Sequence, residues 1–306
     1  MRYAILDCDP GIDDALAIFT LLAEPDVEVL GMCATVGNVP VETGYRNLRN
    51  LAALVGREDI PVFLGAALPL VRPYRFDSLV HGEDGLGGAS LPESAAPHTR
   101  EHAALATCRL LHDAPGKVSW IATGPLTNVA LALRLDPSIH EKVDRLVVMG
   151  GSTLRGNVTP AAEFNVWVDA EAWRVVAESG IPLTMVGLNV THQVALTQED
   201  YAALRAMPGK AAKVSDRMLD YYEGVYRREG WGEAKLHDVV AVLEAVHPGI
   251  CSTVPCHVLV ETSSPLTYGQ TVVNDRILAE DANCDVAMGV DAAAVRKRML
   301  SAIASF

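Results

Sequence analysis

The chain has 306 residues, of which half are hydrophobic and 21% charged, so one large α/β domain or two small ones can be built around a substantial core. A formal net charge of −13 repels polyanions and argues against nucleic acid as a partner, while leaving a neutral small molecule or a cation free to approach. No run reaches about 18 uninterrupted apolar residues, and the N-terminus MRYAILDCDP meets acidic groups before any apolar leader can form. No membrane association and a cytoplasmic location are therefore expected. Of six cysteines none forms a C-x-x-C pair, and Cys8, Cys33 and Cys284 lie in apolar runs, so they read as small buried residues and not as a disulfide framework.

In chain order, YAILDC from Tyr3 reads as a buried strand and DDALAIFTLLAE from Asp13 as the helix that follows it. VEVLGMCATV from Val27 and VETGYRNLRNLAALVG from Val41 repeat the pair. From Pro69 to about Pro97 the rhythm breaks into a Gly-rich, polar stretch, of the kind that often forms lids or binding loops. KVSWIAT, DRLVVMG and IPLTMVG then read as short strands, with LTNVALALRLDP and DAEAWRVVAESG as helices between them. A second irregular region is expected from about Pro208 to Glu233, holding the helix-like LDYYEGVYRREGWGE. The alternation predicts an α/β fold: a mostly parallel central sheet with helices on both faces and a Rossmann-like core. A single domain, 1–306, with mobile loops at about 69–97 and 208–233, is the preferred division.

The strongest local signal is Asp7-Cys8-Asp9-Pro10-Gly11-Ile12-Asp13-Asp14. The first strand delivers Asp7 and Asp9 to its carboxyl end, where open α/β sheets bind ligands, and Pro10-Gly11 turns the chain into a helix opened by Asp13 and Asp14. A helix N-terminus favours a carboxylate by only about 0.3–1 kcal/mol. That is too little to gather so many carboxylates, whereas a hard divalent cation with oxygen ligands would do so. A solvated, charged helix cap is the plainer alternative.

DCDPGIDDA resembles the N-terminal signature of the inosine-uridine preferring nucleoside hydrolase family. The resemblance continues in order through Thr35-Val36-Gly37-Asn38, Ala122-Thr123-Gly124-Pro125-Leu126-Thr127-Asn128, Met149-Gly150-Gly151, Gly156-Asn157, Glu163-Phe164-Asn165-Val166 and Leu236-His237-Asp238. It implies hydrolysis of the N-glycosidic bond of ribonucleosides by water, with calcium as cofactor and a homotetramer or homodimer as the assembly. It further implies that Asp9, Asp14 and Asp238 bind calcium by carboxylate and Thr123 by its carbonyl. Asp13, Asn38, Asn157, Glu163 and Asn165 would hold ribose hydroxyls, Met149 would lie beside the sugar, and Asp7 would support the ligands from behind.

Calcium takes six to eight oxygens at about 2.3–2.6 Å, so four protein ligands leave room for a water and a 2′,3′-diol. The reaction passes through an oxocarbenium-like sugar, for which Asp9 is the expected general base and His237 the expected proton donor to the departing base. A histidine beside an aspartate is equally compatible with a structural role. His81 in HGEDG resembles a histidine of the family's mobile loop and is a candidate for contact with the base or 5′-hydroxyl, or else a solvated loop residue. Tyr222 and Tyr226, four apart, would share a helix face and either stack on the base or simply pack. Trp231 has no assigned role, and His192 is expected to be structural. A phosphatase of the haloacid-dehalogenase type would also place Asp-x-Asp after a first strand, yet no phosphate-binding lysine motif follows here. A non-catalytic nucleoside-binding protein and a hydrolase of a modified nucleoside complete the alternatives.

Overall fold

Strand β1 (Arg2–Cys8) is buried from Ala4 onward, as a strand covered on both faces must be. Ala4, Leu6 and Cys8 enter one core and Ile5 the other, the period-two alternation of a central strand. The computed structural model describes residues 1–74, 79–278 and 281–306. Eight further strands follow: β2 (Val27–Ala34), β3 (Val62–Leu64), β4 (Val118–Ala122), β5 (Val143–Met149), β6 (Leu183–Val186), β7 (Cys251–Val260), β8 (Thr271–Asn274) and β9 (Cys284–Val290). They form one nine-stranded sheet in the order β3-β2-β1-β4-β5-β6-β9-β7-β8. Pairing is parallel from β3 through β9, and antiparallel where β7 joins β9 and β8. The mostly parallel sheet expected from the sequence is present, with an antiparallel extension at one edge that the sequence pattern did not announce.

The helices are α1 (Ile12–Leu22), α2 (Val41–Leu54), α3 (Ala103–Asp113), α4 (Thr127–Leu135), α5 (Phe164–Val168), α6 (Ala170–Ala177), α7 (Leu188–Thr191), α8 (Gln198–Ala206), α9 (Lys210–Arg228), α10 (His237–Val246) and α11 (Ala292–Ile303). Residues of α1, α2, α10 and α11 fill the core on one face, and residues of α3, α4 and α6 fill the other. Every residue of α1 and of α10 is buried. Such all-round burial needs a helix that is largely apolar all round; beyond the acidic first turns the exceptions are Thr20, whose hydroxyl donates to the Leu16 carbonyl, and Glu244, which accepts the Cys251 N–H.

Two expectations about the loops fared differently. Between β3 and α3 the described residues contain neither helix nor strand, as the Gly-rich stretch predicted; residues 75–78 of that stretch lie outside the described residues. The region from Pro208 to Glu233, expected to be irregular around a helix-like LDYYEGVYRREGWGE, is mostly the 19-residue helix α9, which begins earlier, at Lys210, and ends at Arg228. Its buried positions Ala211, Ser215, Met218, Tyr222 and Val225 recur every three or four residues, and that stripe holds it against the body. All six cysteines are free.

Candidate active site

The strand order runs β1-β2-β3 to one side and β4-β5-β6 to the other, so the connections leaving β1 and β4 go to opposite faces. A crevice opens between their carboxyl ends, the usual ligand position in such sheets. Asp9 stands there, fully buried. Its Oδ2 accepts the Asn38 backbone N–H at 2.6 Å, and its Oδ1 has no hydrogen-bond partner among the described residues. Two glycines make the space: a Cβ at Gly37 would stand 1.9 Å from Asp9 Oδ2, and one at Gly124 would stand 2.6 Å from Oδ1.

Helices α1 and α10 pack together and bring their first turns to the same crevice. Asp14 Oδ1 accepts the Thr123 hydroxyl at 2.7 Å, and its Oδ2 accepts the Gly11 N–H at 2.9 Å and Asn38 Nδ2 at 3.3 Å. One oxygen from each of Asp13, Asp14 and Asp238 lies within 4.8 Å of the others. Behind them Asp7 accepts Asn128 Nδ2 at 2.9 Å, leaving its Oδ1 unpartnered.

Burial pushes every one of these carboxyls above its ordinary range. Asp7 and Asp13 are each raised to about 8, Asp13 by burial and then by Asp14. Asp9, Asp14 and Asp238 move the same way, with the neighbouring carboxylates adding to burial at Asp9 and Asp238. Buried like charges at this spacing are stable only when protonated or neutralised. Asp9 Oδ1 and Asp13 Oδ1 are both buried with no hydrogen-bond partner among the described residues, although His81 Nδ1 stands 3.9 Å from Asp13 Oδ1. An all-oxygen donor set with unused lone pairs fits a hard divalent cation.

The rim is built from the ends of β4 and β5. Glu163 caps α5, accepting Asn165 N–H at 2.9 Å with Oε1, and Gly151 and Val166 N–H at 3.0 and 3.2 Å with Oε2. Burial raises it to about 7 against the pull of those donors. Asn165 Nδ2 donates to the carbonyls of Thr123 at 2.8 Å and Met149 at 3.1 Å, tying the two strand ends together. Asn157 is exposed, and its Oδ1 accepts the Phe164 N–H at 2.9 Å.

Above the cluster stands an aromatic wall. His81 accepts the Ile12 N–H at 3.0 Å through Nδ1 and stacks on Tyr222, with ring centroids 5.5 Å apart. Tyr222 meets Tyr226 edge-on at 5.0 Å, and Tyr226 meets Trp231 at 5.6 Å. His237 sits with Nδ1 2.7 Å from Thr191 Oγ1 and Nε2 3.4 Å from Tyr226 Oη. Burial lowers both His81 and His237 to about 3, so both imidazoles are neutral near pH 7.

Sequence and fold comparisons identify the family. The family model for inosine-uridine preferring nucleoside hydrolase matches residues 4–297. The chain belongs to that family. It is 39% identical over 293 residues to the pyrimidine-specific ribonucleoside hydrolase RihA of Shewanella sp. (strain MR-7), covering 95% of this chain and 92% of the relative. It is 42% identical over 273 residues to the RihA of Citrobacter koseri, covering 88% and 87%. Among solved structures, the purine-preferring ribonucleoside hydrolase from Gardnerella vaginalis superposes with a TM-score of 0.93 at 32% identity over 99% of this chain and 98% of the other. An inosine-guanosine nucleoside hydrolase gives 0.90 at 31% identity over 100% and 99%. This nucleoside hydrolase therefore cleaves the N-glycosidic bond of ribonucleosides.

Within the hydrolase, the residues expected from its sequence largely converge. Asp9, Asp13, Asp14, Asn38, Thr123 and Asp238 join one buried network, and Glu163, Asn165 and Met149 border it through Thr123; Asp7 is held apart from them by Asn128, and Asn157 is exposed and bonded to the Phe164 N–H. Asp13, expected to serve only the sugar, completes the tightest carboxylate group with Asp14 and Asp238, while Asp9 is held beside them by Asn38. The Thr123 carbonyl is occupied by Asn165 but keeps a second lone pair. His81 is not a solvated loop residue: it is buried over the start of α1. Residues given no role from the sequence are Gly37 and Gly124, which make room for Asp9, Asn128, which holds Asp7, and Thr191, which holds His237. The first three lie in the family-like blocks, where a glycine beside a ligand position was the available signal.

Proposed function

We propose that this nucleoside hydrolase holds one calcium ion among Asp9, Asp14, Asp238 and the Thr123 carbonyl, with Asp13 at its edge, and uses the site to hydrolyse ribonucleosides by direct attack of water. The observation that carries the reading is the pair of oxygens, Asp9 Oδ1 and Asp13 Oδ1, that have no hydrogen-bond partner among the described residues inside a buried acidic cluster. When bound, the cation supplies Lewis acidity toward water and a docking point for two adjacent hydroxyls. Calcium suits the site because the donors are all oxygen and numerous.

Asp9 takes a proton from the attacking water, which adds to the anomeric carbon as the bond to the base breaks. Asp13, Asn38, Asn157, Glu163 and Asn165 hold the ribose hydroxyls, Met149 packs beside the sugar, and Asp7 braces the cluster. The carboxylates and amide oxygens around the sugar favour its developing positive charge. His237, kept neutral by burial, offers an imidazole N–H to the departing base instead of a full imidazolium charge; a neutral histidine of lowered pKa acts this way in triosephosphate isomerase. Tyr226 lies beside it, and His81 and Tyr222 stand where a base would stack. No covalent intermediate is required, so the anomeric centre inverts.

The decisive experiment incubates a panel of ribonucleosides with the enzyme and measures free base and ribose, with calcium or with a chelator. Release that stops with the chelator and returns with calcium is expected. Undiminished release in a chelated, folded enzyme would remove the cation from the mechanism. His237→Ala should reduce turnover of natural nucleosides more than that of nitrophenyl riboside, whose leaving group needs no proton. The proposal also places the enzyme in the cytoplasm as one domain assembling into a homodimer or homotetramer, which sedimentation of the purified protein tests. Among the described residues no helix is long and apolar enough to cross a membrane.

A further inference from the structure

We infer that Thr191 is a positioning residue that sets the tautomer of His237, keeping the imidazole proton on Nε2, on the side that faces Tyr226. The inference rests on the reading above, in which His237 donates to the departing base.

A neutral imidazole carries one N–H, and the partner of one ring nitrogen decides where that proton sits. Thr191 ends α7, is wholly buried, and places Oγ1 2.7 Å from His237 Nδ1. Two arrangements fit that distance. In the first, Nδ1–H donates to Oγ1, and the hydroxyl hydrogen must then find another acceptor. The usual acceptor for a helical threonine, the carbonyl four residues back, is Gly187 O, which already receives the N–H groups of Val190 and Thr191, both at 3.1 Å. His237 is the hydroxyl's hydrogen-bond partner among the described residues. The first arrangement therefore strands a buried donor. In the second, the Thr191 hydroxyl donates to Nδ1, the proton sits on Nε2 facing Tyr226 Oη, and the one hydroxyl hydrogen left over belongs to Tyr222, which feels the Asp13 and Asp238 carboxyls at the site.

The two sides of the ring also differ in tightness. The Thr191 contact is 2.7 Å, whereas Nε2 is 3.4 Å from Tyr226 Oη. The short contact fixes the ring and the long one is easily exchanged for a ligand atom. Sequence analysis could not find Thr191, because it stands 46 residues from His237 and reaches it only through the packing of α7 on α10.

The test uses the calcium-loaded enzyme with 15N-labelled histidine, His237→Gln identifying the His237 signals. Wild type is expected to show a protonated Nε2 and a bare Nδ1. Thr191→Val keeps the side-chain shape and removes the hydroxyl. It should shift the His237 signals toward mixed tautomers and lower kcat/KM for a natural nucleoside about tenfold, the worth of one hydrogen bond. Nitrophenyl riboside should change by less than about twofold on the same ground, because its departure needs no proton. Thr191→Ser, which retains the hydroxyl, should restore both the spectrum and the rate. A protonated Nδ1 in wild type would overturn the inference. So would a Thr191→Val enzyme with unaltered His237 signals, or one losing equal activity on both substrates with no rescue by serine, which is the signature of a packing role. Protonated Nε2 together with equal losses on both substrates in His237→Ala would remove the donor role while leaving the Thr191–His237 hydrogen bond as assigned.

Discussion

Removing the cation and following unfolding from pH 5 to 9 probes the acidic cluster most directly. Burial and Asp14 hold Asp13 at about 8, against 3.8 for the free side chain. At pH 7 such a group is protonated in roughly nine molecules of ten. The unfolded chain carries no proton there, so the native state without cation binds more protons than the unfolded one. The stability Asp13 contributes is fully present below about 3.8 and is lost as pH rises toward about 8; Asp9, Asp14 and Asp238 add to the trend in the same direction. Each proton contributes a slope of about 1.4 kcal/mol per pH unit. A cation must displace those protons, so its affinity should rise about tenfold per pH unit for each one released. Calcium at about a hundredfold above its Kd stabilises by about 2.7 kcal/mol, and one unit of pH adds about 1.4 for each proton. The gap between Tm with calcium and Tm with chelator is predicted to widen from pH 5 to 8. Titration calorimetry in two buffers of different ionisation enthalpy counts the protons directly, and at least one is expected at pH 7. A pH-independent gap, or calcium binding with no proton release, would refute the reasoning.

Other outcomes follow from the same geometry. Asp9→Asn keeps an acceptor for the Asn38 N–H but loses the base, so kcat should fall by about 10²–10⁴, the usual worth of a general base; near-normal turnover would exclude Asp9 from that role. Gly124→Ala sets a methyl 2.6 Å from Asp9 Oδ1 and should weaken calcium binding at least about tenfold, as an ångström-scale misplacement does, and an unchanged calcium isotherm would show that Asp9 can move aside without loss. Ribonucleosides should be preferred over 2′-deoxyribonucleosides by about 10⁴–10⁵, because the site's polar groups are left unpaired when a hydroxyl is missing; comparable kcat/KM values for uridine and deoxyuridine would contradict a site built on the diol.

The acidic site was legible because most of it is local. Asp7 to Asp14 span one strand end, one turn and one helix start, and each step has a short-range signal: an apolar run, Pro-Gly, then carboxylates at a helix N-terminus. Glu163 was legible only through the family-like block it opens; its place as the cap of α5 is seen in the structure alone. The second half of α9 was legible as the helix-like LDYYEGVYRR, but its first half was left irregular because the buried stripe there is carried partly by Ala211, Ala212 and Ser215, which give no hydrophobic contrast. The antiparallel strand β7 was missed because four of its first five residues are exposed, which masks the alternation that marks a half-buried strand. His81 looked like a loop residue because its partner, the Ile12 N–H, is 69 residues away. Contacts of that kind come from packing, and no local pattern encodes them.

The convergence of α1 and α10 also bears on what holds the active site together. Two helix N-termini meet there, and each favours a nearby negative charge by about 0.3–1 kcal/mol, up to about 2 in partly buried geometry. Against them stand Asp9, Asp13, Asp14 and Asp238, all buried and all pushed toward the protonated form. Stripping even one carboxylate of water costs several kcal/mol after relaxation. The dipoles therefore orient the carboxylates without neutralising them, and hydrogen bonds from Gly11, Asn38 and Thr123 satisfy Asp14 and one oxygen of Asp9 only. What remains is a site whose native arrangement at neutral pH is completed either by protons or by a cation. In the mechanism proposed above, protons would consume the base held on Asp9, whereas a cation would leave that carboxylate charged, so exchanging protons for a cation would stabilise the fold and make the site competent for catalysis together.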